Sequence, residues 1–186
     1  MKFPAKYDCV DFDYIEMMQL SIRPIRYEDR EPIRTWRNDQ IDILRQENYL
    51  TELDQDAYFK NNIHPLFTQS HPNQILVGFY NANDLIGYGG LVHIDWKNSH
   101  AEISFLLATA INSKDNYLNF FTSYLVLIEK LAIKLKLNKI HTFGYDLEKF
   151  RFDPLISSNF KLEAKLKQHK LIGTKLIDVL IYSKII

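Results

Sequence analysis

Apolar residues alternate with polar ones in several short stretches of the chain, which is the pattern of half-buried strands. Residues 101–107 form one such stretch, and residues 74–80 and 85–96, which are rich in apolar strand-forming residues, flank the turn-forming residues 81–84. Residues 116–136 instead carry apolar side chains at helical spacing, namely Phe120, Tyr124, Leu127, Leu131 and Leu135. We therefore expect a group of antiparallel strands followed by one long helix.

The flanking segments complete the order of elements. Residues 20–25 alternate as a strand in which Pro24 suggests an edge position, and an acidic stretch with an early proline then starts a helix. Thr51 and Asp54 have the spacing of a helix cap, for a second helix that Pro65 ends. A strand, an irregular helix and a closing hairpin follow at residues 140–145, 147–158, 160–170 and 175–183. The order β-α-α-β-β-β-α-β-α-β-β predicts a mixed α+β fold around a largely antiparallel sheet.

Composition narrows the class of protein. The chain has 186 residues, 46% of them apolar and 25% charged, with 23 Lys or Arg against 23 Asp or Glu. These values predict one globular domain at residues 20–186, after a polar and acidic N-terminal extension at residues 1–19. The zero net charge argues against a nucleic-acid partner, because phosphate affinity depends on an excess of Lys and Arg. No apolar run is long enough for a membrane span, so we expect a cytoplasmic protein without a membrane partner.

Metal and covalent catalysis are not expected. Cys9 is the only cysteine, which excludes a disulfide within the chain and a zinc site built from cysteines. No cluster of histidine and cysteine has the spacing of metal ligands, and no Gly-x-Ser-x-Gly nucleophile motif occurs.

Four phrases of the sequence occur in a characteristic order. They are IRPI at 22–25 with Trp36-Arg37-Asn38 after it, LIGYGGL at 85–91, AEISFLL at 101–107 and DVLIY at 178–182. With the helices between them, they make residues 20–186 resemble the GNAT acetyltransferase superfamily, in particular its ribosomal-protein and amino-sugar N-acetyltransferases. The resemblance implies that acetyl-CoA binds where two parallel central strands splay apart, and that its acetyl group passes to a primary amine by direct attack. The splayed strands are then residues 101–107 and 140–145.

The resemblance also implies where the cofactor binds. The cofactor-binding candidates are Phe105, Leu106, Leu107, Ser113, Lys114 and Asn116. The first three are expected to offer main-chain groups to the pantetheine arm, as a strand does to a peptide. The last three lie where family members have a glycine-containing phosphate loop, but this chain has no glycine between Gly90 and Gly144. We expect the helix-start N–H groups, Lys114 and asparagine side chains to replace it.

Three residues are candidates for catalysis. Glu102 is the first candidate for general base, because it shares one strand face with other polar side chains in a strand expected to be central. The alternative is a solvated strand face. His93 is the second base candidate, unless it is an ordinary packed or surface histidine. Tyr145 is a candidate acid for the thiolate, since Leu155 occupies the position where relatives often carry a tyrosine, and Glu148 replaces a common asparagine.

The acceptor side is less defined. Trp36, Arg37 and Asp95 are the candidate substrate-binding residues, with Arg37, helped by Arg45, suited to an anionic group such as a nucleotide phosphate. Each also has an ordinary structural role as an alternative. The acceptor is expected to be an amino sugar nucleotide, a protein amine or a small-molecule amine, and the protein a monomer or homodimer. The alternative function, suggested by the glycine-free loop, is a non-catalytic binding or scaffold protein with a degenerate cofactor site.

Overall fold

One eight-stranded sheet forms the centre of the computed structural model, which describes residues 2–186. The strands lie in the order β1-β2-β3-β4-β5-β6-β8-β7. Their bounds are Ile15–Met17 (β1), Leu20–Pro24 (β2), Ile75–Asn81 (β3), Asp84–Asp95 (β4), His100–Leu107 (β5), Lys139–Tyr145 (β6), Lys161–Ile172 (β7) and Lys175–Ile185 (β8). All neighbouring pairs are antiparallel except β5 and β6. The predicted mixed α+β fold with a largely antiparallel sheet is confirmed.

Helices cover both faces of this sheet. They are Arg30–Asp39 (α1), Glu52–Tyr58 (α2), Lys114–Lys134 (α3) and Asp153–Ser157 (α4). α3 packs on one face through aromatic side chains, where the Phe105 ring lies 4.7 Å from the rings of both Phe121 and Tyr124. α1 and α2 cover the opposite face, onto which Glu102 and Ser104 of β5 project because side chains alternate along a strand.

The second helix begins at its predicted capping box, but the helical path does not end at the predicted proline. The Thr51 hydroxyl accepts a hydrogen bond from the Asp54 N–H, and the Asp54 side chain accepts one from the Thr51 N–H, as the predicted capping box requires. Pro65 does not end the helical path. A π-helical turn at Phe59–Ile63 leads into a 3-10 helix at His64–Thr68, where the proline occupies the first turn and needs no N–H partner.

The strand β2 is not the edge strand that Pro24 suggested. β1 pairs with residues 20–22 of β2, and Pro24 pairs only with Val77 of β3, beyond the end of β1. The proline therefore costs no hydrogen bond to β1, which removes the reason to place β2 at the edge.

The N-terminal segment is part of the packed structure rather than a polar extension. Its apolar side chains Phe3, Tyr7, Val10, Phe12 and Ile15 are buried. The Tyr7 ring stacks on Phe67 at 4.1 Å, and its hydroxyl donates to Leu76 O (3.1 Å) and accepts from Leu76 N (3.0 Å). Residue 1 lies outside the described part of the chain. Because acidic residues stand between these apolar positions, the sequence analysis described the whole segment as polar.

None of the helices in residues 2–186 combines the length and the apolar content that crossing a membrane demands.

The Tyr7 hydroxyl gives a test of this packing. In Tyr7→Phe the Leu76 carbonyl keeps the Ile25 N–H at 3.1 Å, whereas the Leu76 N–H loses its partner in a buried place. We expect the free energy of unfolding to fall by about 1–3 kcal/mol, measured by urea denaturation. Tyr14→Phe, at a side chain that is 57% exposed, is the control. Equal stability of the two variants would contradict the assigned role of the N-terminal segment.

Candidate active site

The two parallel strands separate soon after they start. β5 and β6 pair only at residues 100–102 and 139–141, although β5 continues to Leu107 and β6 to Tyr145. The Ala108 N–H donates to Ile86 O on β4, so the main-chain groups of Leu107, Phe105 and Ile103 point the other way, into the opening. The sequence analysis predicted this splayed pair.

A cavity of about 320 Å³ lies in the opening. Its walls include Phe105 of β5, Tyr145 of β6 and Tyr117 of α3. Tyr117 borders the cavity without closing it, and Phe120 turns away to pack against Phe79. Burial raises the pKa of Tyr117 to about 12, so its phenol is neutral at physiological pH. Neither Tyr117 nor Phe120 therefore fills the opening.

The predicted main-chain sites in β5 differ from one another. Leu106 pairs with Tyr88 of β4, and by the alternation of the strand its main-chain groups face β4. The Leu107 carbonyl already accepts a hydrogen bond from Gln40 Nε2 at 2.9 Å. Phe105 is thus the candidate whose N–H and carbonyl both face the cavity.

The start of α3 closes one end of the opening. Ser113 caps the helix, since its hydroxyl accepts from the Asn116 N–H at 3.3 Å, and Asn116 Nδ2 donates to Ile111 O at 3.0 Å. Lys114 Nζ lies 5.3 Å from the centroid of the Phe150 ring, and the Arg151 guanidinium lies 5.4 Å from the same centroid. Two cationic side chains therefore flank one ring beside the helix start.

Glu102 projects from β5 on the side of α1 and α2. Its carboxylate is 14% exposed, forms an ion pair with Arg45 and accepts a hydrogen bond from His93 Nδ1 at 2.9 Å. The Arg45 guanidinium also lies 3.8 Å from the centroid of the Phe143 ring on β6, so this side chain spans the opening between the two strands. The two base candidates of the sequence analysis are thus in direct contact.

His93 owes its position to an irregularity in β4. The register between β4 and β5 shifts between Val92 and Asp95, and His93 has a left-handed backbone with φ of 49°. The bulge turns its side chain outward, where 67% of it is exposed. Because a carboxylate only accepts hydrogen bonds, Nδ1 carries the proton and Nε2 is the free acceptor.

A second histidine lies on the strand beside Glu102. His141 of β6 pairs with Glu102 in register, and its ring lies 5.7 Å from that of His100. Burial lowers the pKa of His141, which the nearby Glu102 opposes only in part, so the imidazole is neutral at pH 7.

A second cavity, of about 510 Å³, lies between the sheet and the helices α1 and α2. His93 borders this cavity, whereas Glu102 borders the first. The two cavities share Arg37, Val92 and Ser104 in their walls, so they adjoin beside β5. Arg37 donates from Nη1 to the Tyr88 hydroxyl (2.8 Å) and from Nε to Gln46 Oε1 (2.9 Å).

Two predicted substrate residues do not border either cavity. Trp36 packs against the core, and Asp95 stabilises the turn after β4 by accepting from Asn98 N and Nδ2, both at 2.8 Å. The hydrogen bonds from Asn98 hold the pKa of Asp95 below its usual range. Leu155 borders the opening, as its alignment predicted, and Glu148 accepts from Arg151 Nε at 2.7 Å.

Sequence reasoning did not single out Gln40 or Arg151. Gln40 lies just after the Trp36-Arg37-Asn38 phrase, and it bridges Leu107 O and the Asn112 side chain across the end of the opening. Arg151 belongs to residues 130–170, a stretch rich in Lys and Arg, so local charge was the available signal. Within residues 2–186, no group of three or more acidic, histidine or cysteine side chains is arranged to hold a metal ion.

Comparisons with known proteins agree with this fold. Residues 22–181 match the model of the acetyltransferase (GNAT) domain. Spermidine N-acetyltransferase from Vibrio cholerae, solved with CoA and spermine, superposes with a TM-score of 0.76 at 18% identity, over 91% of this chain and 96% of that one. A probable GNAT acetyltransferase from Chromobacterium violaceum superposes with a TM-score of 0.71 at 11% identity, over 99% and 94%. A search of curated proteins finds no significant match.

The family match spans most of the chain, and the fold of the solved structures agrees with it. The narrower kinship to ribosomal-protein and amino-sugar acetyltransferases stays a prediction. The chain belongs to the GNAT family of acetyltransferases, enzymes that transfer the acetyl group of acetyl-CoA to an amine.

Proposed function

We propose that acetyl-CoA binds in the opening between β5 and β6, and that a small-molecule primary amine reaches it from the second cavity. The observation that carries this proposal is the arrangement of Glu102 and His93. They are hydrogen-bonded to each other, yet one borders the first cavity and the other borders the second. Acetyl transfer then takes place where the two cavities adjoin, beside Ser104 of β5.

The opening suits the pantetheine arm. Its amides need main-chain partners at the edge of a strand, and the Phe105 N–H and carbonyl face the cavity after β6 has moved away. Ile103 is less available because Thr142 Oγ1 donates to its carbonyl at 3.4 Å. Of the three predicted main-chain sites, Phe105 therefore carries the pairing in this proposal.

The phosphates need a different explanation, since the start of α3 has no glycine. Lys114 and Arg151 hold two positive charges beside Phe150, and only Arg151 has a carboxylate partner, Glu148. We assign the diphosphate to these two cations together with the first N–H groups of α3, which Ser113 positions as the helix cap. Side-chain charge thus replaces the close main-chain approach that glycines permit.

The proton leaves the amine through the Glu102–His93 pair. Glu102 is paired with Arg45 and accepts from His93 Nδ1, so both of its oxygens already have partners. His93 borders the acceptor cavity, so in this proposal its Nε2 removes the proton. Glu102 accepts from Nδ1–H and stabilises the imidazolium that forms.

The donor supplies its acetyl group as a thioester, whose thiolate is a good leaving group. The N–H groups of Phe105 and Leu107 face the opening and stabilise the negative charge that develops on the carbonyl oxygen. Tyr145 borders the same cavity, where its hydroxyl donates a proton to the departing thiolate.

Substitution of His93 tests the direction of proton transfer. In His93→Gln we expect kcat/KM to fall about 10²–10⁴-fold, the loss typical of a general base. In Glu102→Gln we expect a smaller fall, because the base remains and only the group that orients it and stabilises the imidazolium is changed. His169→Gln, on the exposed strand β7, is the control. A larger fall of kcat/KM in Glu102→Gln than in His93→Gln would make Glu102 the base.

Arg151→Gln tests the phosphate assignment. Loss of a charge-assisted hydrogen bond is expected to raise the Kd for CoA about 10- to 100-fold in calorimetry. S-acetylpantetheine lacks the diphosphate, so kcat/KM for this donor should stay the same.

Lys149→Gln is the matched control, because Lys149 is exposed and does not border the opening. An equal loss for both donors would refute a phosphate contact by Arg151. No binding of CoA to the unmodified protein at millimolar concentration would favour the scaffold function instead.

A further inference from the structure

Arg37 occupies a special position, because its guanidinium borders both cavities. We propose that the acceptor carries an anionic group, a carboxylate or a phosphate, beside its reactive amine, and that Arg37 binds this group. The proposal rests on the proposed function, since it assigns the class of amine that enters the second cavity.

The first argument is the missing counter-ion. The chain has seven arginines, and five of them form ion pairs with carboxylates, namely Arg26, Arg30, Arg34, Arg45 and Arg151. Arg23 donates to a main-chain carbonyl at an exposed place. Arg37 is partly buried, and within residues 2–186 its side-chain contacts are the neutral Tyr88 hydroxyl and Gln46 amide. A cation taken from water in this way is costly unless an anion completes its environment.

The second argument is how the neighbours hold the guanidinium. The Tyr88 hydroxyl and Gln46 Oε1 accept from Nη1 and Nε, which fixes the plane of the guanidinium and leaves the Nη2 donors for a ligand. Burial raises the pKa of Tyr88, so its phenol stays neutral and does not compensate the charge. Arg37 is thus oriented but not neutralised.

The third argument is the charge of the rest of the second cavity. Asp54 is the one carboxylate in its wall, and Thr51 already donates to it from both N (2.9 Å) and Oγ1 (2.7 Å). These hydrogen bonds hold the pKa of Asp54 low, and they commit the carboxylate to the cap of α2. Glu102 borders the other cavity and is paired with Arg45. The wall therefore offers a fixed positive charge and no uncommitted negative one.

This charge distribution disfavours a polyamine as acceptor. The Vibrio cholerae structure holds spermine, a polycation, but that protein shares 18% identity with this chain. A chain of ammonium groups needs several carboxylates, and in the second cavity it would meet Arg37 instead. The remaining wall is largely apolar, with Ile25, Leu50, Phe59 and Leu76 among its residues. An amine with one anionic group and a compact apolar body matches these features.

Matched amines test the assignment. Initial rates of acetyl transfer are measured for leucine against leucinamide, for O-phosphoethanolamine against ethanolamine, and for spermidine. We expect the anionic member of one pair to have a kcat/KM at least about tenfold above its neutral partner and above spermidine. The pair that shows this difference identifies the anion as carboxylate or phosphate. A preference for spermidine or for the neutral amines would overturn the proposal.

Variants locate the effect at Arg37. In Arg37→Gln the preference for the anionic amine should fall about 10- to 100-fold, whereas Arg37→Lys keeps the charge and should restore part of it. Arg34→Gln is the matched control, since Arg34 lies on the same helix, pairs with Glu31 and Glu52, and borders neither cavity. A preference that persists in Arg37→Gln would also overturn the assignment.

A binding measurement separates this proposal from the proposed function. Calorimetry compares N-acetylleucine with N-acetylleucinamide, and N-acetylphosphoethanolamine with N-acetylethanolamine, on the CoA-bound enzyme and on its Arg37→Gln variant. Binding of an anionic product that Arg37→Gln abolishes supports the anion site even if no amine in the panel is acetylated, an outcome that would count against the proposed function alone. Acetylation of amines without any preference for the anionic product would leave the proposed function intact and refute the anion site.

Discussion

The site depends on the early loss of pairing between β5 and β6. Only three residue pairs join β5 to β6. Beyond them, Ile103, Phe105 and Leu107 of β5 direct main-chain groups towards the side from which β6 has diverged. A sheet interior with unpaired main-chain groups is costly unless something else hydrogen-bonds them. Gln40 and Thr142 satisfy two of the carbonyls, and a pantetheine arm suits the rest. The opening is therefore a weakness of the sheet and, in the proposed function, the place where the pantetheine arm binds.

The surroundings of the opening show how the fold tolerates this gap. α3 presses aromatic rings onto Phe105 from one face, and Arg45 joins Glu102 of β5 to Phe143 of β6 on the other. Both contacts act where hydrogen bonds between the strands have ended. The separation of the strands is thus fixed by side chains on each face.

The fold could be predicted from the sequence to a large extent because its signals are local. The period of two in residues 101–107 and the helical period up to Leu135 each need only neighbouring residues, and the short motifs around them indicated the family. The N-terminal segment was different. Tyr7 stands among acidic residues, and its burial depends on contacts with Phe67 and Leu76, 60 and 69 residues away. No local pattern reports such a contact.

The candidate site was predicted in part for the same reason. Strand alternation placed Glu102 on a polar face, and the order of strands brought His93 near it. The alternation did not show that a bulge gives His93 a left-handed backbone, nor that Asp95 is used by a turn. It also could not show that Arg37 has no carboxylate partner among residues 2–186, because a missing ion pair is a property of the folded structure. A charged side chain without a counter-ion can be identified only after the ion pairs of the folded structure are known.

The pairing of charges also explains why one carboxylate can serve two cavities. Glu102 has two oxygens, and each meets a different partner: Arg45 on the side of the opening and His93 on the side of the acceptor cavity. Arg45 gives the carboxylate an opposite charge in a place that is mostly buried, where an unpaired charge would be unfavourable. The ionised carboxylate in turn fixes the tautomer of His93 and leaves Nε2 free. In the proposed mechanism, the ion pair on the donor side therefore prepares the base on the acceptor side, and neither cavity alone contains a complete site.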